Sequence, residues 1–367
     1  MKLLKLETFC NRYTGFVRAE FEGGLTGWGQ VSTYNSDITV QVLHRQVAPW
    51  VLGRDCTDME ALLDRIMERE HKFPCSYLCR AMAGLDTAVW DARGKREGKP
   101  VVELLGGTPG PLRAYASSMR RDITPAAEVE RLARLQERHG FTAFKVRAGS
   151  EVGRGRDEWP GRTEDMITAM GGEFGGHAEL LIDANSCYSP DQAIVVGGLL
   201  KEHGFCHFEE PCPYWELEQT AAVREALAID VTGGEQDWDM TIWRRMIAMP
   251  AVDIVQPDIL YVGGLTRALR VAEMARRAGM SVTPHSANLS LVTLCTMHFL
   301  KALPNAGKYL ELSIEDGEYY PWQEGLFMHS PYAVEDGCVQ VPARPGWGVN
   351  VNPDWLAGAD YGCSACD

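Results

Sequence analysis

The segment LLIDANS (residues 180–186) is a short apolar run that closes on Asp183, and the same figure returns further down the chain. HFEEP (207–211) closes on Glu209, DVTGGE (230–235) on Glu235, DIVQPD (253–258) on Asp258, SVTPHS (281–286) on His285, and KYLELS (308–313) carries Glu311. Successive members of the series lie 26, 26, 23, 27 and 26 residues apart, so one ionisable residue recurs per repeat. The helical texture between the runs makes each repeat a strand followed by a helix. Two earlier runs, LRAYASS (112–118) and FKVRAG (144–149), bring the total to eight. Eight such strands predict a closed barrel whose carboxyl ends all face one mouth, where the six ionisable side chains converge. Strand ends that reach solvent are often polar, but that alone does not select an acid or a histidine six times running.

Outside these repeats the texture differs. MKLLKLETFC reads as a first strand, and FVRAEFEGGLTGWGQ (16–30) alternates around Gly23 and Gly24 as a hairpin does. Residues 58–97 adopt helical spacing, with Leu85, Ala88, Val89 and Ala92 on one stripe. After the last repeat, DGCVQVPARPGWGVNVN (336–352) alternates again among glycines and prolines. The chain is therefore expected to be an α/β protein: a TIM-type (β/α)7β barrel over residues 112–335. Its α+β capping domain is expected to be built from residues 1–111 and a C-terminal segment, 336–367, that returns to them.

Composition narrows the function. Of the 367 residues 45% are hydrophobic and 23% charged, and no uncharged apolar run is long enough to span a membrane. The first residues meet Lys5, Glu7 and Arg12 before a signal-peptide core can form. An odd number of cysteines, eleven, without such a signal points to reduced thiols and a cytoplasmic setting. The close pairs Cys75 with Cys79 and Cys363 with Cys366 lack a matching second pair, which favours ordinary thiols over a metal site. A net charge of -14 argues against nucleic acid and anionic membranes as partners. A small anionic substrate then needs local positive charge, such as a metal.

Asp183, Glu209 and Glu235 on successive strands suit a hard divalent cation, most simply Mg²⁺ with Mn²⁺ as the alternative, because such ions take oxygen ligands and leave positions for water and substrate. Alternate residues of a strand share a face, so Asn185 points inward with Asp183, and Lys145 with Arg147. The last two are expected to stand opposite the metal and to bind a substrate carboxylate between them. Asp258 and His285 on adjacent strands suggest a general-base dyad, the carboxylate fixing the imidazole tautomer. Glu311, crowded by other carboxylates, is expected to stay neutral and donate a hydrogen bond. Removing a proton beside a carboxylate makes a dianionic enediolate, and a divalent cation offsets that charge.

At these residues the chain resembles the mandelate racemase and muconate lactonizing enzyme family of the enolase superfamily, over nearly its whole length. LDTAVWDARGKREGKPVVELLGG is similar to the family's helical segment before the barrel; DAN, EEP and GGE match its metal-ligand motifs; QPD, PHS and the Glu of LELS match its later strand ends. The resemblance implies that Asp183, Glu209 and Glu235 are Mg²⁺ ligands, with Glu209 rather than Glu210 taken from EEP. It also implies that Asp258 and His285 are the catalytic dyad, that cap residues near Tyr13 and Tyr34 close over the substrate, and that the protein assembles as a homo-oligomer. The departure is at FKVRAG, where family racemases carry two lysines spaced by one residue and this chain has Lys145 and Arg147. Arginine stays protonated and is a poor base. Dehydration of a sugar acid to a 2-keto-3-deoxy acid, which needs one group as base and then acid, is therefore favoured over racemisation. An epimerase, racemase or cycloisomerase working through the same intermediate is the alternative, and a catalytically silent barrel acting as a binding module is the non-enzymatic one. The long segment GSEVGRGRDEWPGRTED after the second run is either a lid or a solvated excursion. Arg120 and Arg121 are expected to be a solvated pair, or, if they face the mouth, to bind a second carboxylate.

Overall fold

The computed structural model describes residues 1–150 and 152–366. Strands β1 (Leu3–Cys10), β2 (Gly15–Phe21) and β3 (Thr26–Val31) form an antiparallel meander, with Gly23 and Gly24 at positive φ turning the β2–β3 hairpin. The helical region that follows is split into Met59–Arg69 and Ser76–Glu97. Pro74 falls in the break, where a residue without an N–H ends one helix before the next starts. The long helix lies directly on β3. A Cβ at Gly29 would sit 2.3 Å from the Gly84 carbonyl oxygen, so strand and helix meet backbone to backbone and only glycine fits.

Eight parallel strands follow: β4 (Gly110–Ser117), β5 (Ala143–Arg147), β6 (Glu179–Asp183), β7 (Phe205–Glu209), β8 (Asp230–Gly233), β9 (Ile254–Val255), β10 (Ser281–Val282) and β11 (Leu310–Ser313). They hydrogen-bond in the order β10-β9-β8-β7-β6-β5-β4-β11. The ring closes where Val282 pairs in parallel with Ala306, just ahead of β11. Helices follow the first seven strands, whereas β11 is followed by a single turn of 3-10 helix, Pro321–Gln323, giving a (β/α)7β barrel. β9 and β10 are short because Pro257 and Pro284, two residues past their ends, have no N–H to extend the ladder.

The tail differs in detail from expectation. Its alternating segment, β12 (Cys338–Val341), pairs antiparallel with Gly110–Arg113 of β4, not with the cap. That half of β4 lies ahead of its pairing with β5, which begins at Ala116, and so offers a free edge. The cap is reached further on. The Trp347 indole donates to the Thr87 carbonyl (3.0 Å) and its N–H to Asp91 Oδ1 (2.9 Å), both on the long helix. β13 (Asp360–Ala365) then adds to β1 as the outer strand of the cap sheet. Two large apolar clusters result, one inside and around the barrel and one under the cap sheet, with a small third formed by Tyr115, Ala143, Leu181 and Tyr309. No helix among the described residues is long and apolar enough to cross a membrane.

Candidate functional site

The barrel mouth gathers the side chains that the strands deliver to it. Asp183 and Glu209 end their strands, and Glu235 sits two residues past β8; one carboxylate oxygen from each comes within 4.8 Å of the others, all three residues being buried. Lys145 on β5 is fully buried between Glu209 Oε2 and Glu311 Oε1, both 2.7 Å from its Nζ, with Asp183 Oδ2 at 4.0 Å. Arg147 pairs with Asp183 Oδ2 in close contact, donates to the Ser118 carbonyl (2.9 Å) and reaches Asn185 Oδ1 (3.1 Å). Lys145 and Arg147 therefore stand beside the acidic cluster rather than across from it, because Arg147 is in register with Asp183 on the neighbouring strand.

On the other wall, Asp258 caps the turn Ile259–Val262. Its Oδ1 accepts the backbone N–H groups of Leu260 (2.7 Å) and Tyr261 (3.0 Å), so the carboxylate is fixed with Oδ2 turned to His285 Nδ1 at 2.8 Å. The far nitrogen of His285, Nε2, lies 3.4 Å from Glu235 Oε2 and faces the cluster. Burial works against the imidazolium, but Glu235, Asp258 and Glu311 outweigh it and hold His285 well above the ordinary histidine range. Backbone strain collects at the same rim: Asn185, Ser186 and Glu210 all have positive φ, an arrangement side chains other than glycine adopt at a cost of order 1–3 kcal/mol each.

The expectations for Glu311 and for the arginine pair need correction. Glu311 is not a neutral donor. Burial raises its carboxyl, but Lys145 and then His285 prevail and bring it below the usual range. All its contacts are accepted ones, from Lys145, from the Ser117 hydroxyl (2.8 Å) and from the Ser286 N–H (2.8 Å). Arg120 and Arg121 part ways. Arg120 is tied to Asp122 at 3.0 and 2.9 Å, while Arg121 turns inward to the Gly149 carbonyl (2.9 Å) and Asn185 Oδ1 (2.7 Å), so they form neither a solvated pair nor a carboxylate site. Tyr13 and Tyr34 reach the acidic cluster by no hydrogen bond or ring contact. Their rings pack at 6.0 and 5.7 Å on Trp322, from the loop after β11, as a seam between cap and barrel. The long loop after β5 is mostly exposed over residues 152–161 and is pinned to the loop after β6, where Gly153 and Gly155 donate backbone N–H groups to the Ser186 and Cys187 carbonyls.

Some members of the site were not anticipated. Gln256 donates to Glu209 Oε2 (2.9 Å), and its position two residues before Asp258 was the available signal, since alternate residues share a face. Ser117 and Tyr261 carried no such signal.

The donor set suits a hard divalent cation. Oxygens dominate, and Glu209 Oε1 and Glu235 Oε2 are buried without a hydrogen-bond partner, a costly state that an ion would relieve. Residues 127–355 match the family model described as enolase C-terminal domain-like, and residues 4–106 match that of the mandelate racemase/muconate lactonizing enzyme N-terminal domain. A crystal structure from Roseobacter denitrificans, described as a "putative racemase", superposes with a TM-score of 0.99 at 67% identity and covers 100% of both chains. A mandelate racemase/muconate lactonizing protein from Paracoccus denitrificans PD1222, complexed with magnesium, has a TM-score of 0.87 at 29% identity, covering 100% of this chain and 99% of that one. Arabinonate dehydratase of Saccharolobus solfataricus is 26% identical over 340 residues, 90% of this chain and 86% of that protein. With an acidic triad, a His–Asp pair and a cap of the kind these models describe, the chain belongs to the mandelate racemase/muconate lactonizing enzyme family of the enolase superfamily.

Proposed function

We propose that this protein is a Mg²⁺-dependent lyase that takes the proton from the carbon beside a sugar-acid carboxylate and expels the β-hydroxyl, leaving a 2-keto-3-deoxy acid. The observation that carries this reading is the asymmetry of the mouth. One wall holds an imidazole oriented by Asp258; the other holds Arg147, which cannot serve as a second base, and Lys145, whose ammonium is clamped between the Glu209 and Glu311 carboxylates.

Asp183, Glu209 and Glu235 would hold the cation, which when bound supplies positive charge to offset the enediolate. The rest falls to the protein. With Glu235 set against the cation, the carboxylate charge that favours the imidazolium would be offset and His285 Nε2 left free to accept the α-proton, while Asp258 keeps Nδ1 protonated and stabilises the imidazolium that forms. The same imidazolium returns its proton to the departing β-hydroxyl, so water leaves and the enol ketonises. Arg147 and Asn185 bind substrate oxygens beside Asp183, and Lys145 fixes Glu209 and Glu311 in place. The relative named as an arabinonate dehydratase supports this direction.

A second reading, epimerisation, is favoured by Lys145 on the wall facing His285 and by the description given to the Roseobacter structure. A library of sugar acids incubated with Mg²⁺ in D₂O separates the two. Keto-acid formation supports the lyase, and deuterium in recovered substrate of inverted configuration supports the epimerase. His285→Asn should lower turnover roughly 10²- to 10⁴-fold, the usual contribution of a general base, with its circular dichroism unchanged. Full activity in that variant would remove His285 from the chemistry.

A further inference from the structure

The mouth holds one cation that neither the acidic cluster nor the strand ends account for. Arg80 comes from the long cap helix Ser76–Glu97, is half-buried, and forms no ion pair among the described residues. Of the other cations there, Lys145 and Arg147 meet carboxylates, and Arg121 is engaged by the Gly149 carbonyl and Asn185 Oδ1. Arg80 is nevertheless held in place. Its guanidinium carbon lies over the Tyr261 ring, 3.4 Å from the ring centre, and one N–H donates to Ser32 Oγ at 2.5 Å. Ser32 is buried and spends its own proton on the Thr33 carbonyl (3.1 Å), leaving its lone pairs for Arg80. A guanidinium has five N–H donors, and among the described residues only one is engaged, by Ser32.

The distance is informative. The Tyr261 ring that carries Arg80 has its centre 5.8 Å from the His285 ring, so a single phenol separates the unpaired cation from the imidazole. In a six-carbon acid the far carboxyl carbon lies about 5 Å from the α-carbon, at roughly 1.25 Å per bond in an extended chain of standard geometry. A four-carbon acid falls well short.

We propose that Arg80 receives the distal carboxylate of a five- or six-carbon dicarboxylic sugar acid whose reacting end lies at the acidic triad. This rests on the α-proton abstraction proposed above, and it narrows the substrate from sugar acids in general to diacids. Planar N–H pairs fit a carboxylate in bidentate fashion, and a stacked guanidinium loses little freedom in meeting one.

The test compares galactarate with galactonate and glucarate with gluconate at saturating Mg²⁺, by calorimetric binding and by kcat/KM, in the natural protein, Arg80→Gln and Arg80→Lys. For the configuration that binds, the diacid should be preferred about 10- to 100-fold, the span expected for a charge-assisted pair. Arg80→Gln should bring the diacid-to-monoacid ratio close to one, mainly through KM, and Arg80→Lys should keep part of it, because the charge survives without the fork. A ratio near one in the natural protein, or an unchanged ratio in Arg80→Gln, overturns the assignment. If Arg80→Gln does not fold, the ratios of the natural protein and of Arg80→Lys decide. If none of the four acids yields a keto acid, the lyase reading fails, while the binding ratio still decides for or against Arg80.

Discussion

Position 147 separates two chemistries that otherwise share every part of this mouth. A guanidinium there donates to the Ser118 carbonyl and to Asn185 while paired with Asp183, a geometry that one ammonium cannot reproduce. It stays charged, so the face of the substrate opposite His285 meets a donor and not a base. Arg147→Lys should therefore change the kind of reaction as well as its rate. Dehydration should fall roughly 10- to 100-fold, matching about 1.5–3 kcal/mol for a hydrogen bond to a charged group. Exchange with inversion should appear, because the new amine can carry a proton on the second face. Proton NMR in D₂O reads both. Unchanged product with no inverted, deuterated substrate would mean that Arg147 does not govern the outcome. The sequence showed this residue plainly, since the Lys-x-Arg spacing is local to one strand. It hid the state of Glu311, because the lysine that keeps that carboxyl ionised comes from a strand far away in the chain, 2.7 Å off in space.

Among the elements, the last barrel helix, Leu291–Ala302, links barrel, cap and tail through one buried histidine. His298 Nδ1 accepts the Val102 N–H (3.1 Å) and its Nε2 faces the Trp347 carbonyl at 3.3 Å, an arrangement that requires the neutral ring. Burial pushes it down to about 4, with the Trp347 bond opposing only in part. The folded value lies below the unfolded one, so between them the unfolded chain binds more protons. Stability is then fully present above pH 6.5 and drains away as the pH falls toward 4. The loss from this site is roughly 3 kcal/mol, at 1.36 kcal/mol per unit. Urea titrations across that range should show it, and His298→Gln should flatten the slope; an equal slope in the variant would place the acid sensitivity elsewhere. The helix itself was visible in the sequence as an apolar stretch, but its role as a joint was not, because both partners of His298 lie in other segments.

The cap is docked on the barrel through contacts distant in sequence, and this sets the limit of what one sequence discloses. Periodicity revealed eight strands and six convergent side chains, since every barrel strand obeys the same rule. Arg80, Tyr13 and Tyr34 acquire meaning only through docking of the cap, which is fixed by contacts such as Gln30 Nε2 to Ser290 Oγ (2.8 Å), distant in sequence and without a motif. The acidic triad has the opposite property: its ligands come from three successive strands, so an ion held by them braces the barrel. In its absence Lys145 and Arg147 compensate Glu209 and Asp183, whereas among the described residues Glu235 is met by no Lys or Arg, only by His285 Nε2 at 3.4 Å and the Gln236 amide at 2.9 Å. Mg²⁺ should therefore raise the melting temperature, by the equivalent of about 2.7 kcal/mol at a hundred times its dissociation constant, and a chelator should reverse the gain. Glu235→Gln should act in two opposite ways. With chelator present it should melt higher than the natural protein, because a crowded negative charge has gone, and it should no longer respond to Mg²⁺. A natural protein indifferent to Mg²⁺ in both melting and calorimetry would show that these carboxylates gather for some purpose other than holding an ion.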